Sequence, residues 1–259
     1  MKTVMVLTIV QWFCAFSYGF VLPLDTVLNK TVALSGNQIF SIDQDVIFKF
    51  GSADYVIKEN WLIEGDKNLK LVATGQGPLK DLFRLVVIYN SKSKTVMFGK
   101  NKHSELVLSD FFERYLSIRS IDSFKNYLKW LSIAPLMRLS RADGSTAFAI
   151  GEPSDPDIGK PQLWIDQDTF QIRKLRFLSE AEVSFEDYAV YGKKISIPRT
   201  KKVSWGDHSI LIKVRNVSTK TGASLSSFYP QTLNQPSEDL LASKGGIGLV
   251  IQDFYKRFR

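Results

Sequence analysis

The stretch Leu163-Trp164-Ile165-Asp166-Gln167-Asp168-Thr169-Phe170-Gln171-Ile172-Arg173-Lys174-Leu175-Arg176-Phe177 decides the fold. Two β-rich runs flank a polar turn at Asp166-Gln167-Asp168-Thr169, the signature of an antiparallel hairpin. The alternation returns at Val183-Ser184-Phe185-Glu186, at Ile195 and Ile197 after Tyr191-Gly192-Lys193-Lys194, and at Val203 and Trp205. The segment to Trp205 therefore reads as a meander of four or five strands, each with one apolar and one polar face. The phase slips between Ile172 and Leu175, and a β-bulge at Arg173-Lys174 accounts for the slip and bends the sheet. A curved sheet needs something in its hollow.

A second meander lies upstream. Val46, Phe48 and Phe50 alternate with Ile47 and Lys49, and Tyr55 and Ile57 follow a turn at Gly51-Ser52-Ala53-Asp54. Trp61-Leu62-Ile63 and Leu69-Lys70-Leu71-Val72-Ala73 flank another turn, and Phe83 to Tyr89 pairs with Thr95 to Phe98. Between the meanders the spacing turns helical. Phe111, Phe112, Tyr115 and Leu116 mark one short helix, and Ile121, Phe124, Leu128 and Leu131 a second, with Ser109 and Ser120 as caps. This insert, about residues 109–139, is too apolar to lie free in solvent and must cover a sheet face. A short helix with Asp25 as cap is expected between Leu24 and Leu34. Further expectations are strands over Ser145 to Ile150 and Ser209 to Val217, a helical turn over Ser237 to Ala242, a last strand over Gly248 to Phe254 and a basic tail from Tyr255 to Arg259.

The N-terminus reads as a secretory signal spanning residues 1–19: Lys2, an apolar run from Val4 to Phe16, then Ser17 and Gly19. The run is shorter than the ~20 residues a spanning helix needs. Residues 20–259 are expected to form a single domain with the helical insert inside it. Cys14 is the one cysteine and lies in the signal, so the mature chain carries no disulfide framework and no thiolate metal site. Losing Lys2 takes the formal net charge from +8 to +7, spread along the chain rather than gathered into arms, which argues against a nucleic-acid partner. A monomer is expected.

Catalytic constellations are missing from the pattern. His103 and His208, the two histidines, stand in polar turn-like contexts with no second ligand at helical spacing. No Gly-x-Ser-x-Gly elbow occurs, and the carboxylate pairs Asp166/Asp168, Glu180/Glu182 and Glu186/Asp187 fall on turns and outward faces. Gly245-Gly246-Ile247-Gly248 reads as a turn, because β-like residues follow it. These readings argue against familiar hydrolase and metal chemistry, leave a hydrolase working through carboxylates alone as the enzymatic alternative, and predict no enzyme, no metal and no cofactor. What the chain has in excess is apolar side chains on consistent faces. Phe48, Phe50, Trp61, Leu69, Leu71, Leu85, Val87, Tyr89, Phe148 and Trp164 from strands, with Leu116, Leu128 and Leu131 from the insert, are expected to line an apolar cavity.

The hairpin Leu163 to Leu175 resembles that of the periplasmic outer-membrane lipoprotein carriers and their relatives, the LolA/LolB-like superfamily. There a Leu-Trp-Ile-Asp, Phe-x-Ile-x-Lys-Leu hairpin precedes strands like Val183-Ser184-Phe185-Glu186-Asp187-Tyr188 and Ile195-Ser196-Ile197-Pro198. Upstream, Trp61-Leu62-Ile63 through Leu69-Lys70-Leu71 is similar to the family's strand, turn and Leu-Arg-Leu strand, with Lys70 where the arginine is sought. The resemblance implies a mainly β (α+β) fold: a curved antiparallel sheet forming an incomplete β-barrel, with short helices covering its concave face. It also implies a periplasmic, non-enzymatic carrier in a Gram-negative envelope, whose cavity takes a lipid acyl chain or lipidated protein from a membrane-associated donor or acceptor. An ammonium lacks the guanidinium's planar fork, so Lys70 favours a divergent paralogue. The alternative is a structural or adaptor protein of the envelope that meets a protein partner through a sheet edge and its basic surface.

Overall fold

The computed structural model describes residues 22–65, 68–90, 93–98, 101–153, 159–192, 195–219 and 244–259. The expected signal at 1–19 and the expected helical turn at Ser237 to Ala242 lie outside them. The first meander comprises β1 (Phe40–Phe50), β2 (Ala53–Glu64), β3 (Asn68–Gly75), β4 (Arg84–Asn90), β5 (Ser93–Phe98) and β6 (Asn101–Leu106). The second comprises β7 (Met137–Ala142), β8 (Ser145–Ile150), β9 (Gln162–Asp166), β10 (Ile172–Arg176), β11 (Glu182–Tyr191), β12 (Ile195–Trp205) and β13 (His208–Thr219). All thirteen belong to one sheet in the order β6-β5-β4-β3-β2-β1-β13-β12-β11-β10-β9-β8-β7. The antiparallel pairing of β1 with β13 fuses the two meanders. β6 and β7 are the free edges, so the sheet does not close into a barrel.

The expected hairpin is β9–β10, and its register shifts between Ile172 and Lys174. The extra residue, Arg173, sends its guanidinium back to Asp166 at 2.9 Å. Asp166 also accepts from the backbone N–H of Thr169 at 2.9 Å and of Asp168 at 3.1 Å, so one carboxylate shapes both the turn and the bulge. Burial pushes this carboxyl up, but the Thr169 bonds and the Arg173 charge outweigh it and hold it below its ordinary value.

How strongly the sheet curves follows from what a single helix touches. The helix α3 (Gly246–Phe258) places Tyr255 4.7 Å from Phe83, just before β4, and Phe258 6.5 Å from Phe177, just after β10. Those strands are seven steps apart in the sheet, roughly 34 Å of arc at ~4.8 Å per step, while a helix is only ~10–12 Å across. The sheet therefore wraps around α3.

The other helices lie where the pattern put them, with shifted ends. α1 (Leu24–Val32) starts after Pro23 with no side-chain cap, and Asp25 instead pairs with Lys125 at 2.8 Å. In the insert, a 3-10 turn covers Phe112–Ser117 and α2 covers Ile121–Trp130. Ser120 caps α2 in a reciprocal box with Ser123. Ser109 is not the cap of the first: the residue before the 3-10 turn is Phe111, with no side-chain cap bond. The helical pattern also stops earlier than expected, because Leu139 belongs to β7 and stands exposed on that edge strand.

The last expected strand is an error of phase. Ile247, Ile251, Phe254, Tyr255 and Phe258 recur at the i, i+4, i+7, i+8, i+11 positions of one helical face, and all five are buried. The glycines that read as a turn start this helix, with Gly245 at φ 63° as its N-cap. The basic tail is its last turn, and Arg259 is buried rather than solvated.

Candidate functional site

The hollow of the sheet is built by alternation. Phe40, Ile42, Val46 and Phe48 of β1, Ile57, Trp61 and Ile63 of β2, and Ile195, Ile197, Val203 and Trp205 of β12 are buried in one apolar cluster with the helices. Three polar residues share those inward phases: Gln44 between Ile42 and Val46, Glu59 between Ile57 and Trp61, and Lys201 just before Val203. Glu113, from the 3-10 turn, is the fourth, and all four are buried.

Arg259 completes this cluster from the end of α3. Its Nε donates to Glu59 Oε1 at 2.9 Å and its Nη2 to Glu59 Oε2 at 3.0 Å, the two-pronged fork that only a guanidinium provides. Nη2 also lies 3.6 Å from Glu113. Lys201 Nζ donates to both oxygens of Glu113, at 2.7 and 2.9 Å, and to Gln44 Oε1 at 3.0 Å. Gln44 Nε2 in turn donates to Glu59 at 2.6 Å, and Trp61 Nε1 donates to the same carboxylate at 3.0 Å. Aromatic rings surround the guanidinium, with Phe112, Phe254 and Trp61 centroids at 4.8, 4.9 and 5.3 Å.

Two cations and two carboxylates thus balance out of contact with water. Burial alone raises the Glu59 carboxyl, yet the Arg259 charge and hydrogen bonds overcome it and hold Glu59 below its ordinary value. Burial lowers Lys201 against the pull of Glu113. For Arg259, burial works downward but Glu59 and Glu113 win, and its affinity for the proton rises.

Beside α3 the hollow is not full. A groove of about 510 Å³ runs between α3 and strands β4 to β6, a size common for small-molecule sites. Phe83, Leu85, Val87, Val96 and Leu249 form its apolar wall, and Lys94, His103, Glu105, Asp253 and Lys256 its polar margin. Lys94 is the buried member of that margin: its Nζ pairs with Glu105 at 3.1 Å and donates to the main-chain oxygen of Arg259, and burial lowers its proton affinity. Asp253 accepts from Trp205 Nε1 at 2.7 Å.

Of the residues expected to line a cavity, Leu85 and Val87 reach this groove. Phe48, Trp61, Leu69, Leu71, Tyr89, Leu116, Leu128, Leu131 and Phe148 come together on the same face, but as packed core. Phe48 meets Phe254 of α3 at 5.5 Å, Trp61 stacks with Tyr89 at 5.9 Å and with Phe111 at 6.0 Å, and Phe148 stacks on Phe170 at 6.3 Å. Two residues depart from the expectation. Phe50 is 48% exposed at the end of β1. Trp164 lies on the opposite face with Ala142, Ala147 and Ala149, where Lys174 and Arg176 sit 5.6 Å from its ring. In the run Leu163-Trp164-Ile165 both phases are apolar, so alternation does not reveal which side faces the hollow. Lys70 also points away from it: in β3 it alternates with the buried Leu69 and Leu71, and burial lowers its proton affinity.

Solved structures share this architecture. A LolA superfamily protein from Nitrosomonas europaea superposes with a TM-score of 0.57 at 10% identity, over 81% of this chain and 99% of that one. The fold is LolA-like. A putative outer membrane lipoprotein-sorting protein domain from Vibrio parahaemolyticus matches with a TM-score of 0.54 at 13% identity, over 80% of this chain and 95% of its own. A DUF1329 family protein from Desulfovibrio piger matches with a TM-score of 0.54 at 14% identity, over 81% and 98%. No family model and no curated protein matches the sequence. The resemblance carried by the Leu163 to Leu175 hairpin thus holds for a strongly divergent sequence on a LolA-like fold. Sequence reasoning missed the charged cluster and α3, although Gln44, Glu59 and Lys201 were each visible as a polar residue at an apolar phase of its strand.

Proposed function

We propose that this chain is a non-enzymatic carrier or binding protein of the cell envelope, which holds the acyl chain of a lipid or lipidated protein in the groove between α3 and β4 to β6. The observation that carries the reading is the groove itself, an apolar wall with a mixed-charge margin on a LolA-like fold. An alkyl chain burying about twelve methylenes gains roughly 10 kcal/mol, enough for micromolar binding after ordering costs. The ammonium groups of Lys94 and Lys256 suit head-group oxygens at the margin. The other expected lining residues act in this reading as the packed support that fixes the wall.

The periplasm, reached through a cleaved segment at residues 1–19, is the compartment this reading assigns, with membrane-associated donor or acceptor proteins as partners. The test is native mass spectrometry of the purified full chain, followed by solvent extraction and reloading. A bound acyl-chain lipid that is lost in a Leu249→Glu variant supports the reading. Leu249 is 61% exposed, so the variant keeps its fold while placing a charge on the groove wall. Protein that carries no lipid and takes none up contradicts it.

A further inference from the structure

The deepest part of the hollow does not suit an alkyl chain. Removing α3 would leave two carboxylates, Glu59 and Glu113, facing the single ammonium of Lys201, with Gln44 and Trp61 as the remaining donors to Glu59. Such a floor asks for a cation between aromatic faces. The chain supplies one on a helix whose apolar face fits the same hollow.

We propose that the Glu59–Glu113 floor is a binding site for an amphipathic helix bearing an arginine, held here by the chain's own α3 and exchangeable for a free copy of it. Three observations support this. First, α3 docks as a ligand docks. Among the described residues, its main chain meets the sheet only where the main-chain oxygen of Arg259 accepts from Lys94; its other anchors are side chains. Second, the fork of Arg259 on Glu59 selects one end and one register of a helix, whereas an aliphatic filling of similar volume would be at least as stable and would select neither. Third, α3 leaves a groove of about 510 Å³ along its flank, so the hollow is wider than this occupant. The site gives the fold a protein ligand as well as room for a lipid, and it does not depend on lipid being the cargo.

The experiment uses the full chain with a protease site placed between residues 220 and 243, cleaved after folding and challenged with a labelled peptide of residues 244–259. The expected result is exchange of α3 for the peptide, with the circular dichroism of the sheet retained. A peptide carrying Arg259→Ala should bind on the order of a hundred-fold more weakly or worse, since it leaves a buried carboxylate unpaired. Arg259→Lys should fall between, restoring charge without the fork. Glu59→Gln in the protein should weaken the wild-type peptide and restore much of the binding of the Arg259→Ala peptide, because the stranded charge is gone. Equal binding of the wild-type and alanine peptides, absence of exchange at excess peptide, or loss of the sheet when α3 leaves would each overturn the proposal. An alkyl probe titrated on the uncleaved protein reports separately on the carrier reading.

Discussion

Replacing Arg259 by Met in the full chain isolates the energetics of the buried cluster. Methionine keeps most of the side-chain volume among Trp61, Phe112 and Phe254, so the loss is chiefly electrostatic. Glu59, buried and stripped of both guanidinium bonds, keeps the uncharged donors Gln44 and Trp61. Breaking a buried pair from one side costs about 3–5 kcal/mol, and the two remaining donors place this case near 3. Urea unfolding followed by tryptophan fluorescence measures it. A Glu59→Gln/Arg259→Met double variant should recover most of the loss, because the stranded charge is gone. The pH dependence gives an independent check. In the wild type the Glu59 pKa is depressed, so its contribution is present above the unfolded-state value and lost as pH falls through the folded-state value below it. In the variant, burial acts unopposed by Arg259 and raises the carboxyl, so the folded state takes up the proton first and the destabilisation shrinks on acidification. A loss under about 1 kcal/mol, or one independent of pH with no rescue by Glu59→Gln, refutes the reasoning.

Other parts of the fold respond to different perturbations. Asp166→Ala removes the acceptor that holds both the turn and the Arg173 bulge, and should cost about 1–3 kcal/mol at neutral pH by calorimetry; since its pKa is depressed, the penalty fades below about pH 4, where the unfolded carboxyl also protonates. Gly75→Ala should destabilise strongly in thermal unfolding, because a Cβ there would lie 2.0 Å from the Leu79 carbonyl oxygen, a main-chain atom of the short 3-10 turn Gly77–Leu79. Ser120→Ala opens the capping box of α2 and should cost about 1 kcal/mol, with faster amide exchange in the first turn of that helix.

The sheet was legible because its strands alternate and its turns carry polar residues, and the bulge showed as a slip of phase at Arg173. The edge strand β6, Asn-Lys-His-Ser-Glu-Leu, has no apolar face to alternate and gave no signal. For α3, the run Gly-Leu-Val-Ile imitates a strand over four residues, and only the longer stripe through Phe254 and Phe258 tells the helix from it. The charged cluster joins residues far apart in sequence, Gln44, Glu59, Glu113, Lys201 and Arg259. Phase shows that three of them face inward, but only the curvature of the sheet brings them together. That same packing moved Leu71, fully buried beneath the helices, from cavity wall to core, where a charged substitution reports on stability rather than on binding.

Occupancy of the groove by an alkyl chain is measured by titrating delipidated protein with an alkyl-chain fluorescent probe, comparing the wild type with Val96→Glu and Leu249→Glu. Both positions line the groove, and neither is part of the fully buried core. An acyl-chain groove should show micromolar binding to the wild type, displacement by a fatty acid or lysophospholipid, and affinity at least ten-fold weaker in both variants with unchanged unfolding midpoints. Equal probe affinity in all three proteins, or none in the wild type, contradicts it.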